Sequence, residues 1–343
     1  MIYCMKIPSL SAVLSALCLL IPAGLPAQPT AAVEQFQRTQ SAQPLPKPLR
    51  LNLSTNTEAP ELYPGENADV GPQHILRVLR RKTYFELVAD SQYFYTDNPF
   101  LSDQNKTRTS LFVNTVQAAF APEPIWLGRA QFAPAVGFRS QWFNYDLLDG
   151  SGDGLNRLDF NAQTAFLNAR YQRGPWQVYA GFDFTRLVDQ GSYKEAYREY
   201  APTLGIQRFF PINDRLMFIA SVQFGYHLTG LPATPTLPRL DVNDRYDGVV
   251  NLSINQEILP RLFVQPYYRF QYTYYPGFSD GTTAGTRRND VVNTFGASLI
   301  YYFNQHVGVR LFANYEMKAS SYSVAFNYHK LDAGGGLAVN WRF

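Results

Sequence analysis

Cysteine is nearly missing from this chain. Its only two, Cys4 and Cys18, fall in an N-terminal segment that reads as removable, so the rest has no disulfide frame, thiol nucleophile or cysteine metal ligand. Charge is sparse too: Asp, Glu, Lys and Arg make up 17% of the residues, where a soluble domain carries about 25%. The formal net charge is +3 and no Lys/Arg-dense module appears in the body, which sets nucleic acid aside as a partner. Imidazole is limited to His74, His227, His306 and His329. The apolar run at residues 10–21 is too short to cross a bilayer as a helix, and the mean hydropathy is -0.22. A helical membrane protein is therefore not expected.

That same apolar run gives an address. "MIYCMKIPSLSAVLSALCLLIPAGLPAQ" places Lys6 ahead of it and Pro22, Gly24 and Ala27 behind it, the order of a secretory signal peptide cut after Ala27. Cys18 follows Leu17 inside the run, where a lipoprotein signal would need a small residue, so lipidation is not expected. Residues 28–73 carry seven prolines among Gln, Thr, Asn and Glu and keep no period, which reads as an extended or disordered stretch. Residues 74–83, "HILRVLRRKT", fit either a short helix or the run-in to a first strand. The expected organisation is a signal peptide at 1–27, a Pro-rich periplasmic extension or plug at 28–82, and one β domain at 83–343.

What the chain has in quantity is aromatic residues, at 15%, and a period of two. In "LMFIASVQFGYHL" the row Leu216, Phe218, Ala220, Val222, Phe224, Tyr226 and Leu228 is apolar, and Ser221, Gln223 and His227 lie in the other row. "RYDGVVNLSINQEI" repeats the pattern with Val249 as its one exception, and "RLFVQPYYRFQYTY" and "VGVRLFANYEMK" repeat it again. Helices place apolar residues three and four apart; half-buried strands alternate. Twelve such segments begin near residues 83, 107, 127, 158, 176, 198, 215, 245, 261, 290, 307 and 330.

The connections alternate in length. "PEPIW", "RGPW", "PIND", "LPR" and "NQH" are short, whereas "TDNPFLSDQNK", "DLLDGSGDGLNR", "DQGSYKEAYR", "TGLPATPTLPRLDVND" and "PGFSDGTTAGTRR" are long. Tight turns on one side, long loops on the other and an even strand count predict an all-β fold. The specific expectation is a transmembrane antiparallel up-and-down barrel of about 12 strands, with both termini at the tight-turn end. Closure pairs every backbone group and removes the sheet edges. Aromatics near the short turns (Trp126, Trp176, Phe209, Phe210, Tyr301, Tyr302, Phe303) and near the long loops (Tyr93, Phe94, Tyr95, Trp142, Phe143, Tyr145, Tyr226, Tyr274, Tyr275) are expected to form two interfacial girdles.

The chain ends "LDAGGGLAVNWRF", an alternating strand that closes on an aromatic residue. Val339, Asn340, Trp341, Arg342 and Phe343 resemble the terminal signature of Gram-negative outer-membrane β-barrel proteins. The last hairpin also resembles outer-membrane porins of unassigned substrate. The resemblance covers 83–343 as a pattern and about the last thirty residues as wording. It implies a location in the cell outer membrane and contact with outer-membrane lipids and lipopolysaccharide. It also implies that Trp341 and Phe343 form a C-terminal assembly signal read by the barrel-insertion machinery. A homo-oligomer is compatible with it.

No chemistry-bearing constellation stands out. His227 and Ser221 share a face but sit six residues apart, about 20 Å along a strand, too far for a hydrogen bond within it. Loops 151–159 and 240–244 cluster carboxylates without the spacing of a calcium loop. No catalytic residue, metal or cofactor is expected, and the chain is not read as an enzyme. What remains is the lumen, where charged side chains act as ion filters. The candidates for its lining are Arg129, Arg139, Asp183, Asp247, Glu257, Arg269, Arg310, Glu316 and Arg342, with inward Phe263, Tyr267 and Phe312 narrowing the bore. Mixed signs leave the ion preference open. The expected function is a passive porin-like channel for small hydrophilic solutes. The alternative is a non-conducting barrel that anchors or assists envelope assembly or export.

Overall fold

The computed structural model describes residues 83–101, 106–145, 159–230, 243–277, 287–322 and 327–343. Residues 1–82, read above as leader and extension, lie outside the described residues, as do the centres of four of the five loops expected to be long and residues 323–326.

The chain forms β1 (Phe85–Thr96), β2 (Thr109–Phe120), β3 (Ile125–Leu127), β4 (Ala130–Tyr145), β5 (Phe160–Arg173), β6 (Trp176–Asp189) and β7 (Glu195–Asn213). These are followed by β8 (Leu216–Gly230), β9 (Arg245–Leu259), β10 (Leu262–Tyr275), β11 (Arg288–Tyr302), β12 (Val307–Ser320) and β13 (Tyr328–Arg342). All pairs are antiparallel neighbours in sequence except two: β2 pairs with β4, and β13 returns to β1. The sheet therefore closes on itself as a barrel of twelve long strands, and β3 is an extra piece folded back on the start of β4. A tilted strand needs about 9–11 residues to cross a bilayer; β2 has 12 and β7 has 19.

The period-2 pattern sets the inside and the outside. Phe224 (65% exposed) and Leu204 (56%) lie in the outward rows, whereas Val113 and Leu111 face in and are fully buried. A soluble barrel would show the reverse, so this exterior is built for hydrocarbon. The turns follow local rules. Gly174, with a φ of 58°, makes the short β5–β6 turn, and Arg261 adopts a φ of 70° between β9 and β10. Half of the segment expected as a long loop at 189–198 is strand; only residues 190–194 connect β6 to β7. Asp189 folds the chain back there, its Oδ1 accepting the Ser192 N–H (2.5 Å) and its carbonyl the Tyr193 N–H (2.9 Å).

The seam joins the first strand to the last. Phe343 O accepts the N–H groups of Tyr84 (3.0 Å) and Phe85 (2.9 Å), and the Phe343 N–H donates to Phe85 O (3.1 Å). The Phe343 ring stacks on Phe85 with centroids 5.9 Å apart. Behind it, Glu86 accepts from Arg342 (2.8 Å) and Asn340 (2.7 Å), and Trp341 stacks on His306 at 4.7 Å.

The girdles are only half as expected. Outside, Tyr226, Tyr246 and Tyr274 stack in a row on β8, β9 and β10, with centroids 4.5 and 6.4 Å apart. Trp176 and Phe210 flank the Arg208 guanidinium at 4.8 and 4.5 Å near the short turns. Phe94, Phe143, Tyr145, Phe209 and Tyr275 face inward instead and are buried, and Tyr302 also lies on the inward row. Their strand parity, rather than their height on the barrel, decides the side.

Candidate functional site

The lumen divides into two chemically different halves. From the short-turn ends of β4, β5 and β6, one row of inward side chains runs in register across six adjacent strands to the middle of β9: Gln131, Gln172, Gln177, Gln207, Ser221 and Asn251. All six are half-buried. The row carries only amides and one hydroxyl, groups that both donate and accept hydrogen bonds.

Above that row the wall is built in three-strand rungs around glycines. Tyr179 on β6 lies across Gly205 on β7, and its hydroxyl donates to Gln223 Oε1 on β8 at 3.2 Å. Tyr267 on β10 lies across Gly296 on β11 and donates to Asn314 Oδ1 on β12 at 2.8 Å. Phe166 covers Gly137, and Phe94 covers Gly334, in the same directly opposed way. A side chain at Gly137, Gly205 or Gly296 would meet the ring itself, the Cβ position at Gly205 being 2.2 Å from Tyr179 Cζ, and one at Gly334 would meet the Phe94 Cβ and backbone. The rings therefore run along the wall, and Tyr267 does not stand out across the bore as the sequence alone suggested.

Toward the long loops the interior is packed. Phe94, Leu111, Val113, Phe143, Tyr145, Phe160, Leu187 and Tyr197 form one apolar cluster drawn from β1 round to β7, with Phe312 of β12 and Phe100 of the β1–β2 loop against it. Phe143 and Phe160 stack at 4.3 Å. Beside this cluster lies a buried ionic belt. His227 Nδ1 is 2.7 Å from Glu199 and its Nε2 is 3.2 Å from Asp247; Arg245 reaches the same two carboxylates at 3.1 and 3.5 Å. Tyr197 donates to Glu199, and Gln271 to Asp247 at 3.3 Å. The belt continues as Arg288 and Lys318 on Asp290, Lys330 on Asp332 (3.0 Å), and Tyr328 on Glu316 (2.7 Å). Removing one partner from such a buried pair costs about 3–5 kcal/mol, so the belt holds its shape firmly.

At the outer rim Asp159 Oδ1 accepts the Tyr145 N–H at 2.8 Å. Burial pushes its carboxyl up to about 6; the Tyr145 hydrogen bond opposes the rise and nearby Asp189 adds to it. Asp244, from the cluster at 240–244, is taken up by Thr229, whose N–H and hydroxyl donate to it at 2.6 and 2.9 Å. Residues 151–158 and 240–242 lie outside the described residues.

Of the expected lining residues, Arg139, Asp183, Asp247, Glu257, Arg269, Arg310, Glu316 and Arg342 stand on inward rows. They are not one ring. Arg139 faces Asp183 at 3.9 Å, Asp247 and Glu316 join the ionic belt, and Arg342 pairs with Glu86 at the seam. Arg129 is off the wall: it sits in the exposed turn between β3 and β4, because the barrel strand starts at Ala130 and not near 127. Sequence reading missed Glu199–Arg245 and the glutamine row. Glu199 and Arg245 occupy the polar parity like the others, but their pairing needs the register of three strands.

No family model matches the chain, and no curated protein matches it. Among solved structures it is similar to an outer membrane channel from Pseudomonas putida F1, at 11% identity over 76% of this chain and 96% of that one, with a TM-score of 0.48. It is also similar to the β domain of the Bordetella autotransporter BrkA (14%, 76% and 100%, TM-score 0.44) and to the KdgM porin in complex with oligogalacturonate (11%, 74% and 98%, TM-score 0.38). The strand pairing and the apolar exterior themselves, rather than these distant likenesses, make the chain a β-barrel of the outer-membrane type.

Proposed function

We propose that this barrel sits in the cell outer membrane and acts as a passive porin-like channel for small hydrophilic solutes. The observation that carries this reading is the split lumen: a half-exposed polar wall at the short-turn end leads to a tight charged belt at the other. The polar wall supplies the aqueous path and the belt is the filter. In this reading the short turns and both ends of the described barrel face the periplasm. On the outer surface near the long loops, Arg186 and Arg198 stand directly opposite each other on β6 and β7, above the Phe184–Tyr200 ring pair (5.0 Å), with Arg186 also donating to Gln163 (2.7 Å) and Arg198 paired with Glu195 (2.6 Å). Two like charges side by side on a lipid-facing surface suit the phosphates of lipopolysaccharide. Catalysis has no part in this reading: His227 is taken up by Glu199, Asp247 and Arg245, with Ser221 six residues away on the same row.

A specific observation favours a second reading. The long-loop half is filled by buried side chains, which fits a non-conducting barrel that anchors or assists envelope assembly. Liposome swelling separates the two. Proteoliposomes holding the folded mature protein swell in isosmotic small sugars, at rates that fall with solute size, if the barrel is a channel; swelling no faster than empty liposomes selects the anchoring role.

A further inference from the structure

We propose that the short-turn half of the lumen is a binding wall for neutral polyhydroxylated solutes, with saccharides as the ligand class. The inference rests on the channel reading above and narrows its substrate. Three observations carry it.

First, the row from Gln131 to Asn251 is continuous over half the circumference and contains no charge. At about 4.8 Å between strands it extends over roughly 24 Å of wall. A primary amide offers two donors and an acceptor, so a run of them meets a run of hydroxyls, each of which also donates and accepts. An anionic ligand would leave the amide oxygens facing its charge. Second, the nearest inward charges are Arg170 on β5 and Arg269, in register with Asn251 on β10, whose guanidinium donates to Gln271 (3.0 Å), while Glu257 lies six residues from Asn251 along β9, so the charges around the row are of mixed sign. Third, Tyr179 and Tyr267 lie along the wall over Gly205 and Gly296, half-buried, with their hydroxyls already tied to Gln223 and Asn314. Each ring is thus fixed in place before a ligand arrives, with one side against the glycine and the other toward the lumen. Preset aromatic surfaces beside amides suit the apolar faces of sugar rings.

The test uses equilibrium dialysis of labelled maltohexaose and of trigalacturonate against the folded, detergent-solubilised mature protein. Parallel bilayer recordings are made with either sugar on the short-turn side. The proposal expects maltohexaose to bind and to interrupt the current, and trigalacturonate to do so far more weakly. The Y179A/Y267A double variant loses about tenfold in affinity, and Y179F, which keeps the ring but loses the bond to Gln223 that presets it, loses less. Heat-modifiable migration shows that each variant is folded. Folded protein that retains no maltohexaose, or that binds trigalacturonate equally well, overturns the proposal. Current without maltohexaose binding sinks this inference and leaves the channel standing; binding by a barrel that passes no current does the reverse.

Discussion

At the scale of single residues, glycine and aromatic side chains work as pairs across the strands. The inward glycines at 137, 205, 296 and 334 each face a ring on a neighbouring strand, yet they differ in what a substitution meets. At Gly205 the obstacle is the far end of Tyr179, which can swing away; at Gly334 it is Phe94 Cβ and the Tyr93 carbonyl at 2.2 and 2.3 Å. We expect Gly205→Val to assemble, break the Tyr179–Gln223 bond and lower the unit current by pushing the ring into the bore. Gly334→Ala is expected to leave little heat-modifiable barrel, since the seam backbone itself must move. A Gly334→Ala protein that assembles normally contradicts this reading of the seam. The glycines were visible in the sequence. Their partners were not, because the ring opposite each one is set by a register spanning anything from a short hairpin to the whole chain.

At the scale of elements, the alternating pattern located all twelve long strands, because lipid on one side and a polar lumen on the other force a strict period of two. It could not show β3, whose three residues are too few to carry a period, and so it put Arg129 on the wall. Nor could it show that 189–195 is a tight turn between two strand ends, because Asp189, Gly191 and a Tyr193 φ of 56° turn the chain between β6 and β7. The last strand carries a further expectation. Phe343→Ala keeps the three backbone hydrogen bonds to Tyr84 and Phe85 but loses the stack on Phe85. If the terminal ring is an assembly signal, this variant accumulates unassembled in cells while the purified chain still refolds into detergent. Equal assembly of variant and parent in cells removes that role. The rim between β4 and β5 adds a pH dependence. With its carboxyl raised to about 6, Asp159 is mostly neutral at pH 5 and charged at pH 7.5. Deprotonation adds a negative charge beside Asp189, so cation preference, read as reversal potential in a salt gradient, rises with a midpoint near 6. Asp159→Asn abolishes that midpoint, and an unchanged profile in the variant assigns the titration elsewhere.

At the scale of the whole molecule, the barrel inverts the usual distribution of stability. Hydrocarbon faces lipid outside, and the long-loop half of the interior takes the place of a core, with an aryl cluster and an ionic belt side by side. Composition showed the fold class through sparse charge and abundant aromatics. It did not show the segregation of the lumen into an amide stretch and a charged stretch, because both share one inward parity, and the amide row runs in register through Arg269 and Thr294 to Glu316 and Lys330 of the belt. That segregation is the basis for reading the molecule as a channel with its filter toward the long loops. The most direct measurement of it is single-channel recording from the mature protein in a planar bilayer under a salt gradient. The account predicts stable unit steps with a definite reversal potential and smaller steps in Gly205→Val. Silence from protein shown to be folded by heat-modifiable migration would contradict it and leave the barrel as an anchor.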